Sequence, residues 1–315
     1  MVVTAQRDLV TLALAPSKTE QDKAARTHTT IREYLESDPA LRKYGVDTYL
    51  QGSYKNSTNV RGDSDVDMGS VTNEVFYHDT SVLPTQPRYE RGEVVSLKES
   101  IDNSLNRLPR GGFTFQEYRA DVLASLQREY GDSVVDGNKA ITVRGNTYRL
   151  DADVLPCTSF RQYVESAAGA TYHTGIAFFS NSSERIVNFP HQHFTNLSQK
   201  DQRSDGKVKG CIRIMKRLRN EFEEAGEWNR KRSPSYYLEG LLWNVPDHYF
   251  EGRYEVVLCD VLRYLWQDLT EKKAAGDLDS YLQANGIFLL FHPQFWNVDD
   301  ALAFIGKIWL AVFKE

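Results

Sequence analysis

The chain is poor in cysteine, with three among its 315 residues and none in a CxxC pair. Cys157, Cys211 and Cys259 lie far apart in apolar surroundings, so they read as buried free thiols in a reducing compartment. His191 and His193 have no cysteine near them, which speaks against a structural zinc site. No apolar run approaches the ~20 residues that span a bilayer. The opening stretch MVVTAQRDLVTLALAPSKTEQDKAA has neither a basic start nor a small-residue cleavage site. The expectation is a cytoplasmic protein, neither secreted nor bound to a membrane. Positive charge is not in excess: 38 Lys and Arg against 43 Asp and Glu leave a net charge of -5. That balance argues against a protein that coats nucleic acid, and nothing signals stable DNA binding. Repeats, low-complexity tracts and long Pro/Gly/Ser linkers are also missing.

What remains is an ordinary globular composition, 41% hydrophobic and 26% charged, on a chain long enough for two lobes. The spacing predicts a helix from Lys18 to Leu41, with Ala24, Ile31, Tyr34 and Leu35 among its apolar positions. VDTYLQ (46–51) reads as a short strand leading into GSYKNSTN. DVDMGSV (65–71) alternates as a strand does, with Asp65, Asp67 and Gly69 on one face and Val66 and Met68 on the other. A helix near 95–107 follows, then one opened by a Thr114/Glu117 capping box and closed before Gly131. AITVRGNTYRLDADVLPC reads as a hairpin turning at Gly145–Asn146, its second strand placing Asp151 and Asp153 opposite Leu150, Ala152 and Val154. Beyond residue 207 the pattern is helical, over 208–222, 235–244, 254–270 and 298–313. The class is therefore α+β: a mixed-sheet N-terminal lobe followed by a helical C-terminal lobe.

The chemistry concentrates in QGSYKNSTNVRGDSDVDMGSV, residues 51–71. Two aspartates at i and i+2 on a strand project from one face and can hold hard divalent cations through oxygen. Without a cation such close charges repel. The Gly52–Ser53 turn offers backbone N–H groups and a hydroxyl to phosphate oxygens. Either feature alone is commonplace; their combination with a second acidic strand downstream reads as functional.

The run GSYKNSTNVRGDSDVD resembles the signature of the DNA polymerase β-like nucleotidyltransferases. More narrowly, it resembles the cGAS/DncV-like nucleotidyltransferases (CD-NTases), bacterial makers of cyclic oligonucleotide signals. The likeness recurs in DADVLPC (151–157), VNFPHQHFTN (187–196), KVKGCIRIMKRLRN (207–220) and SPSYYLEGLLWNVPD (233–247), most of all to the E-type cyclases. The resemblance implies a two-lobed polymerase β-like fold, with residues 1–200 as the core lobe and 201–315 as the helical lobe. The N-terminal helix would pack against the other lobe.

The resemblance also implies Asp65 and Asp67 as ligands of two catalytic Mg²⁺ ions, for which Mn²⁺ can substitute. Asp153 is the implied third carboxylate, catalytic and metal-binding, with Asp151 as a possible alternative. Gln51, Gly52, Ser53, Asn188, Lys200, Lys216 and Ser235 are the implied nucleotide-binding residues. Ser235 has a plain alternative as a helix N-cap, and Asn188 as a turn cap. Lys209, Arg213 and Lys216 share one helix face beside an apolar stripe of Val208, Cys211, Ile212, Met215, Leu218 and Phe222. Arg217 and Arg219 read as solvated.

The implied reaction joins two NTPs with loss of pyrophosphate at each step, UTP among them, to cyclic di-UMP or cyclic UMP-AMP. An amide at Asn188 can pair with the uracil edge. The product would act through a cyclic-nucleotide-responsive effector in CBASS anti-phage defence, and the enzyme would be a monomer. The rivals are an acceptor-dependent linear nucleotidyltransferase and an inactive nucleotide-binding regulator. Three departures from the family pattern stand out: Gly240 in place of cysteine, Leu197 in place of a glycine after Asn196, and no zinc insertion.

Overall fold

The structure is a computed structural model that describes residues 7–60, 65–90, 93–106, 112–292 and 296–313. Along it lie α1 (Leu9–Ala13), α2 (Lys18–Ser37), β1 (Val46–Leu50), α3 (Gly52–Asn56) and β2 (Val66–Asp79). Next come β3 (Pro87–Glu90), β4 (Glu93–Ser96), α4 (Leu97–Asn106) and α5 (Phe115–Tyr130). Then follow β5 (Val134–Asp136), β6 (Ile141–Val143), β7 (Ala152–Ser166), β8 (Gly169–Phe179) and β9 (Arg185–Asn188). The remainder is helical: α6 (Pro190–Arg203), α7 (Lys207–Glu224), α8 (Ser235–Trp243), α9 (Tyr254–Ala275) and α10 (Val298–Phe313). Two compact units emerge. One comprises Asp22–Gly52 and Asp65–Pro190; the other comprises Met1–Gln21, Ser53–Ser64 and His191–Glu315.

The first unit is built on a mixed sheet in the order β1-β2-β7-β6-β5, with β8 paired to β7 and β9 to β8. Among the described strands of this sheet only β2 and β7 run parallel; the other pairs are antiparallel. The 15 residues of β7 are long enough to pair with β6 through Ala152–Val154 and with β8 from Thr158 onward. Alternation holds as the sequence predicts: Val66, Met68, Ala152 and Val154 are fully buried, and Asp67 and Asp153 only partly. Gly69 is glycine because the Tyr49 ring lies over it; a Cβ there would stand 2.5 Å from Tyr49 Cζ. Helix α5 covers the sheet with Phe115, Tyr118, Val122 and Leu126 buried, and its Thr114/Glu117 capping box is formed in both directions.

Several elements differ from expectation: the second hairpin strand begins at Ala152 and so leaves Leu150 and Asp151 before it, α9 runs to Ala275 rather than residue 270, and two further differences have a local cause. Helix α2 stops at Ser37 rather than Leu41, because Pro39 holds Asp38 extended and starts a separate 3-10 turn capped by Asp38. Strand β2 runs on to Asp79, well past residue 71, shifting register between Thr72 and Phe76. Part of the expected 95–107 helix, at residue 107, and residues 61–64 of the RGDSD run lie outside the described residues.

The second unit is helical around α7. Val208, Cys211, Ile212, Met215, Leu218 and Phe222 are all buried, as their spacing predicts. So are Ile214 and Gly210, so α7 is enclosed on most sides; a Cβ on Gly210 would meet Tyr254 Oη at 2.1 Å. The three cysteines are free and buried, and burial pushes the Cys157 and Cys211 thiols up to about 12. No described helix is long and apolar enough to cross a membrane.

Candidate active site

The parallel pairing of β2 with β7 brings the carboxylates together. Its register sets Val66 beside Ala152 and Asp67 beside Asp153, and neighbouring strands lie about 4.8 Å apart. Asp65 is exposed immediately before β2, and the Val66 N–H that follows it donates to Asp151 O at 2.9 Å. Three aspartates thus gather where two parallel strands begin. Register also separates Asp153 from Asp151. Asp151 precedes β7, and its Oδ1 accepts the Gly145 N–H at 2.6 Å, closing the hairpin turn. Asp153 accepts from the Thr142 hydroxyl at 2.6 Å across the β6 pairing.

Gly52 borders the same carboxylates. It has φ +65°, and an ideal Cβ would lie 2.0 Å from Asp67 Oδ2. Gln51 N–H donates to Asp67 O at 2.9 Å, fixing this approach. Only a glycine leaves room for the Asp67 carboxylate here.

Among the described residues, no three His, Cys, Asp or Glu side chains form a preformed metal cage. The donor set nonetheless fits a hard cation: three carboxylates on adjoining strand ends, with space beside Asp67 kept by a glycine.

Asn188 ends β9 opposite Ile176, half-buried, and its Oδ1 accepts the Phe189 N–H at 3.1 Å. In the helical unit, Lys200 is buried and donates to Val245 O at 2.5 Å and Asp247 Oδ1 at 2.8 Å. Burial lowers its pKa, against the pull of Asp247. Lys216 is 2% exposed and donates to Thr58 O at 2.9 Å. Ser235 is not the N-cap of α8; Pro234 takes that place, and Arg219 Nη1 reaches Ser235 Oγ at 3.4 Å. Gly240 is explained by packing, since a Cβ would stand 2.6 Å from Leu290 Cδ1.

The basic helix carries a correction. Arg219 is buried rather than solvated, and Arg217 is only partly exposed. Arg217 donates to the carbonyls of Thr11, Leu12 and Leu14 at the end of α1, and Arg219 is 1% exposed, donating to Ser233 O at 3.0 Å. The spacing carries the signal, since Arg219 stands four residues after Met215 and three before Phe222, inside the apolar stripe. Arg219→Ala is expected to lose about 2–3 kcal/mol of stability, as charged hydrogen bonds are removed and Ser233 O is left buried. A urea melt with a lower midpoint at unchanged slope is the check; a midpoint matching wild type contradicts it.

Sequence reasoning gave no role to Asn56, Thr58, His193 or Glu239, although each sits inside a run that carries the resemblance. Glu239 is 3% exposed and accepts from His193 Nε2 at 2.6 Å, Thr58 Oγ1 at 2.5 Å and Asn56 Nδ2 at 3.1 Å. His193, itself 2% exposed, stacks on Tyr236 with ring centroids 4.2 Å apart. All of these belong to the helical unit.

A mixed-sheet unit with paired strand aspartates, together with a helical unit, has the architecture of a two-lobed α+β nucleotidyltransferase. The chain is similar to the Rhodothermus marinus CdnE c-UMP-AMP synthase solved with Apcpp and Upnpp. That match has a TM-score of 0.75 and 30% identity, over 96% of this chain and 94% of that one. The Legionella pneumophila cyclic dipyrimidine nucleotide synthase CdnE is 30% identical over 95% of each chain. The cyclic dipurine nucleotide synthase of Elizabethkingia meningoseptica is also 30% identical, over 96% of this chain and 97% of that one. The family model for the cGAS/DncV-like nucleotidyltransferase C-terminal helical domain matches residues 195–312. The chain belongs to the cGAS/DncV-like nucleotidyltransferases, and its likeness is to their CdnE members.

Proposed function

We propose that this nucleotidyltransferase joins two NTPs, releasing pyrophosphate at each transfer, and closes the linear intermediate into a uridine-containing cyclic dinucleotide. The observation that carries the reading is the parallel pairing of Asp67 with Asp153 beside Gly52. In each transfer a 3′-hydroxyl oxygen bonds to the α-phosphorus while the bond to the bridging β-phosphate oxygen breaks. Pyrophosphate leaves and the hydroxyl proton passes toward Asp153. Ser53 and the Gly52 end of α3 bind the triphosphate, with Gln51 beside them and Lys216 and Ser235 as further contacts; Lys200 supports them from its Asp247 pair. Asp65, Asp67 and Asp153 would hold two Mg²⁺, replaceable by Mn²⁺, which when bound neutralise the triphosphate and acidify the attacking hydroxyl. Most of the acceleration then comes from positioning and fixed charge.

The base assignment rests on Asn188, half-buried at the end of β9: its Oδ1 accepts the Phe189 N–H, and an amide carries a second oxygen lone pair and an NH₂ donor of the kind the uracil edge pairs with. Relatives named for dipyrimidine, dipurine and UMP-AMP products share about the same identity, so fold-level likeness does not choose the base. Cyclic di-UMP or cyclic UMP-AMP is the proposed product. It would be read by a cyclic-nucleotide-responsive effector in CBASS anti-phage defence in the cytoplasm, with the enzyme working as a monomer. Pyrophosphate release with each NTP alone and in pairs tests the base. The expected result is release that requires UTP, and a roughly tenfold loss of UTP use in Asn188→Ala through a lost hydrogen-bonding pair. Release from purine NTPs alone, unaffected by Asn188→Ala, overturns the uridine assignment.

A further inference from the structure

The buried carboxylate of Glu239 sits among groups from three separate stretches of sequence. Helix α8 contributes Glu239 itself and α6 contributes His193, while the segment after α3 contributes Asn56 and Thr58. Burial alone would raise the Glu239 pKa. The hydrogen bond and charge of His193, the charge of Lys216 and the Thr58 hydroxyl outweigh it and hold the carboxyl below its ordinary value. A buried, ionised glutamate with three partners is costly to assemble, and removing one partner leaves an uncompensated charge.

Thr58 is where this network leads. Its hydroxyl donates to Glu239 Oε1 at 2.5 Å, its carbonyl accepts from Lys216 Nζ at 2.9 Å, and its N–H donates to Ser53 O at 3.0 Å. The side chain, the acceptor and the donor of one residue thus link Glu239 on α8 and Lys216 on α7 to the backbone of Ser53. Asn56, held by the same carboxylate, fixes the last residue of α3. The residue between them, Ser57, has φ +56°, a conformation that needs support on both sides.

From this geometry we infer that Glu239 is a positioning residue for nucleotidyl transfer. Held by His193, it fixes Thr58, and through Thr58 the Ser53 backbone, so that the Gly52–Ser53 turn meets the triphosphate in one orientation. The inference rests on the proposed role of Ser53 in triphosphate binding. It gives Lys216 a second task, since the lysine grips the same threonine from the other side.

The test compares Thr58→Val, which keeps the shape and removes the hydroxyl, with Thr58→Ser, which keeps the hydroxyl, and with Glu239→Gln. Three readouts are taken: kcat and KM for pyrophosphate release, affinity for a non-hydrolysable NTP, and backbone hydrogen exchange over residues 53–60. Thr58→Val is expected to melt cooperatively and to bind the analogue within a few-fold of wild type. It should lose about 10–100-fold in kcat, the scale of a small misplacement of reacting groups, with faster exchange over residues 53–60. Glu239→Gln should move the same readouts in the same direction, and Thr58→Ser should restore kcat to within a few-fold. A folded Thr58→Val with wild-type kcat and exchange overturns the inference, as does a Thr58→Ser as impaired as Thr58→Val. A wild type that releases no pyrophosphate from any NTP overturns the reading of the site and the positioning role with it. Exchange then still decides whether Glu239 restrains residues 53–60.

Discussion

Asp67→Asn is expected to lower pyrophosphate release by about 10²–10³-fold while leaving the melting temperature within a few degrees of wild type. The substitution is nearly isosteric, so the loss reports charge rather than packing. The core at this end of β2 is carried by Val66 and Met68, both fully buried, whereas Asp67 points away from it. Its backbone carbonyl still accepts from Gln51. On the proposed reading, the activity loss comes from removing one of three negative charges at the site proposed to hold a triphosphate and its cations. Single preorganised electrostatic contacts of that kind are worth about 10²–10³-fold in rate. Initial rates and a thermal melt on the same preparation decide it. A rate within tenfold of wild type places the chemistry elsewhere, and loss of the cooperative melt shows that Asp67 serves the fold instead.

Gly52→Ala should be as damaging to activity, for a different reason. A Cβ here would lie 2.0 Å from Asp67 Oδ2 and 2.6 Å from its Cγ. Either the carboxylate swings away or the turn shifts, and both displace groups proposed to meet the same phosphate; a roughly 100-fold loss is expected. The left-handed backbone adds about 1–2 kcal/mol of strain for any side chain. Gly206 separates the two effects, because it has a similar φ of +75° with nothing within 4 Å of the missing Cβ. Gly206→Ala should therefore lose stability alone, whereas Gly52→Ala loses stability and transfer together. Equal activity in both variants contradicts the account of Gly52.

Local patterns in the sequence were sufficient for the elements that place the carboxylates. Alternation of Val66, Asp67 and Met68 fixed which face of β2 carries acid, and the Thr114/Glu117 box and the Val208–Phe222 stripe marked α5 and α7. Pro39 also announced the end of α2, although the helical spacing runs past it. Alternation alone does not separate Asp153 from Asp151, since both share a parity. Pairing of β7 with β2 makes Asp153 the neighbour of Asp67 and leaves Asp151 to the turn. The Glu239 network was least legible, because Thr58 and Glu239 meet across 181 residues of sequence and neither stands out in composition. The charge of Arg219 alone points to water, whereas its spacing places it among buried neighbours.

The most direct test of the central claim is to incubate the protein with all four NTPs and Mg²⁺, treat with phosphatase, and identify what survives by mass spectrometry. The account predicts a phosphatase-resistant cyclic dinucleotide containing uridine, absent when Asp65 and Asp67 are both replaced by Asn. Only phosphatase-sensitive linear products, or a resistant product that persists in the double variant, would contradict it.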